Sequence, residues 1–196
     1  PTDEESLEKY KKKDLIFLVV GRINKHKGFD RILEFCKYFD KDENINSFDS
    51  VSLHIVGKQT EETKQIFKNL ELENIELVFH GFLNDDELNF LYRNSHFCLF
   101  LSRNEGYGIP LVEAVWFKSI PILSNIPIFN EIMTRKYPKF DDKTNYTSSI
   151  VSFINKIFND FEYLKNQKNF IEEVVLKEQI GYEKAAIKLV KFIEKE

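Results

Sequence analysis

Hydrophobic and polar positions alternate between two periods over the first two thirds of the chain. Apolar runs of strand length fall at 14–21 (DLIFLVVG), 51–57 (VSLHIVG), 75–81 (IELVFHG), 96–102 (HFCLFLS) and 120–124 (IPILS). Between them, apolar residues recur at helical spacing over about 28–39, 60–72, 84–94 and 109–118. Near-continuous hydrophobic strands separated by helices predict a parallel sheet covered on both faces. From about 145 the pattern is helical only, closing on EKAAIKLVKFIEKE. Asn84, followed by Asp85, Asp86 and Glu87, has the form of a helix cap with acids in the first turn. Capping explains that acidic cluster better than a metal-binding DxD motif does.

No internal repeat or low-complexity linker interrupts the pattern. The expectation is an α/β fold: one Rossmann-like, doubly wound parallel sheet with helices on both faces and a helical C-terminal tail. It spans 1–196, with a core over about 14–144 and a tail over 145–196. Open sheets of this kind bind ligands beyond the carboxyl ends of the strands, where the strand order reverses. For the order 3-2-1-4-5-6, strands one and four are neighbours there. Their following loops, GRINKHKG (21–28) and SRNEGYGIP (102–110), then meet in space.

Composition narrows the choice of partner. With 42% hydrophobic residues and 19 phenylalanines, the 196-residue chain can fill a sizeable core. A net charge of -4 argues against nucleic-acid binding through bulk positive charge, so any anion recognition is local. No run reaches the ~20 apolar residues of a membrane span. The opening PTDEESLEKYKKK is too charged for a signal peptide, and Pro1 in place of Met is read as the start of a processed chain or an excised domain. Cys36 and Cys98, in a helical and a strand pattern, are expected as buried free thiols, which fits a reducing cytoplasm. His26, His54, His80 and His96 show no metal-ligand spacing, and His54 and His80 lie near strand ends, where a core or crevice-rim role is expected.

The two loops carry the candidate chemistry. In the first, Gly21 permits a tight turn, Arg22 and Lys27 bring a planar fork and a mobile point charge, and Gly28 precedes a helix whose amides add donors. A diphosphate suits that set, although the loop is neither a Walker A nor a GxGxxG sequence. In the second, Glu105 and Glu113 are separated by seven residues, Gly106 and Gly108 bare the backbone, and Pro110 fits a first helical turn. The N–H groups of 106–109 are expected to be unpaired donors. Glu105 can accept from sugar hydroxyls, and Glu113, about one turn into the helix, suits a ribose diol; helix-dipole stabilisation is the plain alternative for Glu113.

Taken in order, strand–GR-x4-KG-x-D, LHIVG, VFHGFL…ELNFLYRNSHFCLFLS…EGYGIPLVEA and IPILSN resemble the C-terminal, donor-binding domain of a family 4 (group 1) retaining glycosyltransferase of the GT-B fold. The resemblance covers about 14–133. It implies a nucleoside-diphosphate-sugar donor (UDP- or GDP-linked), no metal and no other cofactor. It also implies an N-terminal, acceptor-binding domain that this chain lacks, so the isolated domain is expected to be inactive. By this likeness Arg22 and Lys27 neutralise the diphosphate and, with Glu105 beside the hexose, form the catalytic set. Gly21, Gly106, Tyr107, Gly108 and Ile109 contact the donor, and Glu113 takes the ribose. Base contacts are expected around Gly57–Lys58 and Phe82–Leu83. The acceptor is expected to be a glycan or lipid-linked glycoconjugate in polysaccharide assembly, the location cytoplasmic, with room for peripheral association at the inner membrane face.

Two departures stand out. Lys118 and Ser119 occupy the place of a helix-ending glycine, and Tyr107 replaces a frequent Phe. A GT-B epimerase or a non-catalytic nucleotide-sugar-binding module are the competing readings; the phosphorylases of this fold are disfavoured by the lack of a pyridoxal-phosphate lysine pattern.

Overall fold

The computed structural model describes residues 7–193 apart from 12, 23, 134–135 and 142–144, and describes the backbone alone at 62, 64, 68 and 178–193. Strands β1 (Asp14–Val20), β2 (Ser50–Val56), β3 (Glu76–Gly81), β4 (Phe97–Phe100) and β5 (Ile120–Leu123) form one parallel sheet in the order β3-β2-β1-β4-β5. The anticipated order holds for these five strands, and β1 and β4 are adjacent.

Helices α1 (Phe29–Phe39), α2 (Glu61–Lys68), α3 (Asp85–Asn94) and α4 (Ile109–Trp116) connect the strands. Right-handed crossovers place α1 and α2 on one face of the sheet and α3 and α4 on the other. Phe17 of β1 packs edge-on against Phe35 and Phe39 of α1, with ring centroids 5.3 and 5.7 Å away. Phe29, Phe67 and Phe79 tie α1, α2 and β3 together through edge contacts of 4.7 and 4.8 Å. Cys36 and Cys98 are buried free thiols, each pushed up to about 12 by burial.

The Asn84 cap is present: its side chain accepts from Glu87 N–H while the Glu87 carboxylate accepts from Asn84 N–H, both at 3.0 Å. Sequence periodicity missed the short helix α5 (Pro127–Ile132). The tail consists of α6 (Tyr146–Asn159) and α7 (Phe161–Ile193). The first packs on α1 and the second on α4, so the tail clasps both layers.

At the end of helix α4, Lys118 stands in the place of a helix-ending glycine. Lys118 takes φ +61°, donating its N–H to Val115 O at 3.0 Å, while Ser119 N–H reaches Ala114 O at 3.0 Å. This paired closure demands a left-handed residue, which costs a non-glycine residue roughly 1–2 kcal/mol. Contacts from the tail hold Lys118 there: its ammonium lies 2.8 Å from Glu172, and Lys168 donates to its carbonyl.

Candidate functional site

Beyond the carboxyl ends of β1 and β4, two loops are fastened into one unit. After Val20 the chain turns at Gly21, whose N–H donates to Val56 O at 2.9 Å. Asn24 caps a short 3-10 turn, Lys25–Lys27, by accepting Lys27 N–H at 3.0 Å. Gly28 follows at φ +70°, and a Cβ there would lie 1.8 Å from the Leu101 carbonyl oxygen, so the close approach of the loops requires glycine. From the second loop, Arg103 N–H donates to His26 O at 2.8 Å. The Arg103 guanidinium reaches Lys25 O at 2.8 Å and both Asp30 carboxylate oxygens at 2.6 and 2.7 Å. Those hydrogen bonds, and the charge behind them, hold the Asp30 carboxyl below its usual range.

One expectation needs correction here. The N-terminus of α1 does not offer a row of spare amides to an anion. Phe29 N–H donates to Asn24 O at 3.3 Å, and the first turn already carries the acid Asp30.

Arg22, Lys27 and Glu105 are brought together. They line a recess with Ser102, over an apolar floor that includes Val20, Ile55 and Phe100. Lys27 Nζ donates to both Glu105 oxygens, at 2.6 and 2.5 Å. Ser102 Oγ adds a bond to Glu105 Oε1 at 2.7 Å, and Ser124 Oγ fixes Ser102 through its carbonyl at 2.5 Å. Arg22 is exposed and makes no ion pair among the described residues.

Helix α4 presents the second set of donors. None of the N–H groups of Gly106, Tyr107, Gly108 and Ile109 has an acceptor among the described residues. Tyr107 and Ile109 are exposed, whereas Gly108, at φ +66°, is buried; a Cβ there would come within 2.5 Å of Ile132 Cδ1. Glu113 is the fifth residue of α4, beyond the turn where the helix dipole acts, so dipole stabilisation explains little of it. Its carboxylate does not line the recess; one oxygen, Oε2, accepts from the Tyr92 hydroxyl at 2.9 Å. Nothing in the spacing of the motif pointed to Tyr92, which lies 21 residues away on α3.

The loops following β2 and β3 lie side by side, with Gly57 N–H donating to Gly81 O at 2.7 Å. Lys58 is exposed there, and Phe82 is 83% exposed. Just inside this rim, His54 Nδ1 and His80 Nε2 are 2.8 Å apart in stacked rings. Burial, then the neighbouring His80, lowers the pKa of His54. The third strand-associated histidine, His96, is buried at the other end of the sheet, where its Nε2 lies 2.7 Å from Lys9 O and its Nδ1 accepts Ile16 N–H at 3.1 Å.

Comparison with known proteins bears on the family and the fold. The family model for glycosyl transferases group 1 matches residues 2–179. The O-antigen chain mannosyltransferase RfbU of Salmonella typhimurium is 32% identical over 145 residues, 71% of this chain and 38% of that protein. The serotype-specific mannosyltransferase WbdA of Escherichia coli is 32% identical over 120 residues, 59% of this chain and 14% of that protein. The chain thus spans less than half the length of these curated relatives. Among solved structures, the C-terminal domain of the group 1 glycosyl transferase LpcC from Francisella tularensis superposes with a TM-score of 0.66 at 19% identity, covering 90% of this chain and 93% of that one. WaaG, a glycosyltransferase involved in lipopolysaccharide biosynthesis, gives 0.63 at 14% identity over 89% of this chain and 46% of its own.

Proposed function

The chain belongs to the group 1 glycosyl transferases, and on that premise we propose that it is the donor-binding half of a retaining enzyme. The full-length enzyme moves a hexosyl unit from a nucleoside-diphosphate sugar to a glycan or lipid-linked glycoconjugate. A second domain binds the acceptor, and this half alone binds donor without transferring sugar. Two relatives are named as mannosyltransferases, which makes mannose the first sugar to test.

One observation supports the reading above the rest: Arg22 and Lys27 line a recess at the strand-order switch with Glu105, directly before a helix whose amides at 106–109 have no acceptor among the described residues, a set of donors that suits a diphosphate. Departure of the nucleoside diphosphate builds charge on the β-phosphate. Nearby cations and helix amides answer that charge as it develops, so this reading assigns the task to the chain's own residues rather than to a metal. Glu105 is assigned to the hexose, Glu113 to the ribose, and the rim at Gly57–Lys58 and Phe82–Leu83 to the base.

Calorimetric titration with UDP, GDP, their sugars (GDP-mannose included) and the free nucleosides tests the assignment. Arg22→Ala and Lys27→Ala are each expected to weaken diphosphate binding by ~1.5–3 kcal/mol, the range of a charge-assisted hydrogen bond, and to leave nucleoside binding unchanged. Equal losses for both ligand types would show that these cations serve the fold.

A further inference from the structure

We infer that Tyr92 is a positioning residue for Glu113, holding one carboxylate oxygen so that the other meets the ribose diol in a fixed orientation. The inference rests on the donor-binding reading and deepens it.

The phenol is rigidly placed. Tyr92 is fully buried in α3, its ring stacks on Phe117 with centroids 5.9 Å apart, and Ser119 Oγ bonds its carbonyl at 2.7 Å. Burial, together with the nearby Glu113 carboxylate, raises its pKa far above the ordinary value, so the hydroxyl keeps its proton. It therefore donates to Glu113 Oε2 at 2.9 Å; its contact with Pro110 O, at 3.4 Å, is long for a hydroxyl donor.

Glu113 is the less ordinary partner. It is half-buried and forms no ion pair among the described residues, and Oε1 has no hydrogen-bond partner among them. Oε1 is not a buried orphan: it is open to solvent, and so to a ligand, and no cation among the described residues holds the group. What the protein has provided instead is a single neutral donor on one oxygen. Glu is among the side chains with most rotamer entropy to lose. A phenol that removes part of that freedom beforehand improves binding through preorganisation. A carboxylate oxygen carries two lone pairs, so Oε1, oriented by the pinned Oε2, can accept from both hydroxyls of a diol in one defined plane.

The test is a titration of wild type, Tyr92→Phe, Glu113→Gln and the double variant. The probes are the preferred ribonucleoside diphosphate and its 2′,3′-dideoxy analogue, with a melting curve for each protein. Tyr92→Phe keeps the ring and its stacking. It is expected to weaken the ribonucleotide about 3- to 10-fold while sparing the dideoxy analogue. In the Glu113→Gln background the same change should leave the ribo-to-dideoxy ratio where it was, because the two residues act as one unit. A purely structural role for Tyr92 would lower the melting temperature and leave the wild-type ratio intact, and that result overturns the inference alone. If Glu113→Gln abolishes the preference and Tyr92→Phe does not, the inference likewise falls by itself. A wild-type protein that binds neither nucleotide, or both equally, overturns it together with the ribose assignment beneath it.

Discussion

Lys27 Nζ faces Glu105 across the two loops, 2.6 and 2.5 Å from the two carboxylate oxygens. The cation assigned to the donor phosphate is thus already answered by an acid of the protein. With side-chain exposures of 33% and 11%, the pair is only partly screened by solvent. A diphosphate must compete with Glu105 for Lys27.

Removing the rival should favour the diphosphate. Glu105→Gln is expected to tighten bare UDP or GDP about 2- to 5-fold, equivalent to a partly screened ion pair. The sugar-bearing donor should gain less or lose affinity, and turnover of the full-length enzyme should drop. Titration at low and high salt checks this, since salt shrinks the gain. Equal weakening of both ligands would remove Glu105 from the sugar side.

Gly28 carries the junction of the loops. With φ at +70° and a Cβ 1.8 Å from Leu101 O, Gly28→Ala must displace backbone rather than a flexible side chain. A loss of at least ~2 kcal/mol is expected, which lowers the melting temperature by roughly 4–8 °C or more. Nucleotide binding should weaken with it. A melting point unchanged within a degree would mean that the loops approach less closely than described.

Lys118 offers a cleaner backbone measurement. Lys118→Ala and Lys118→Gly both remove the ammonium from Glu172, so the difference between them isolates the left-handed residue at φ +61°. The glycine variant should be the more stable by ~1 kcal/mol, or roughly 2–4 °C. Alanine equal to glycine would contradict the left-handed closure of α4.

His96 predicts an acid-side loss of stability. Burial, the largest cause, lowers its pKa from 6.5 to about 4; the hydrogen bond to the Lys9 carbonyl opposes it, and the Lys9 and Lys168 charges add smaller lowering effects. Between these values the unfolded chain binds the proton and the folded one does not, so stability rises with pH across the window. The contribution is fully present above pH ~6.5 and is lost toward pH ~4, on the order of 3 kcal/mol in all. His54, whose pKa is also lowered, acts in the same direction. Melting curves from pH 4 to 7 should therefore be steeper for wild type than for His96→Asn. Parallel curves would refute the assignment.

The sheet was readable in the sequence because β1, β2, β4 and β5 are buried runs whose hydrophobicity does not depend on distant partners. The cap at Asn84 was readable for the same reason, being encoded within a turn. What escaped depends on long-range pairing. The charge of the opening segment says only that it is no signal peptide, and it gives no hint that Lys9 and Tyr10 are buried. Lys9 Nζ reaches Ser95 O at 2.5 Å near the end of α3, and burial lowers its pKa to about 7. No local pattern marks a lysine for a carbonyl 86 residues away. In the site, the glycines and acids of the second loop were legible as a motif. The Arg103–Asp30 clamp and the Tyr92 hydroxyl were not, since each joins segments that only the fold brings together.

Helix α4 is in mechanical terms a strut pinned at its far end. Lys168 grips the Lys118 carbonyl and Glu172 the Lys118 ammonium, so the tail bolts down the end of the helix opposite its free amides. Sliding the helix along its axis toward a ligand would strain both attachments together. Movement on binding is thereby left to the span in front of it: the side chains of Arg22 and Lys27 and the glycine-flanked turn at Tyr107.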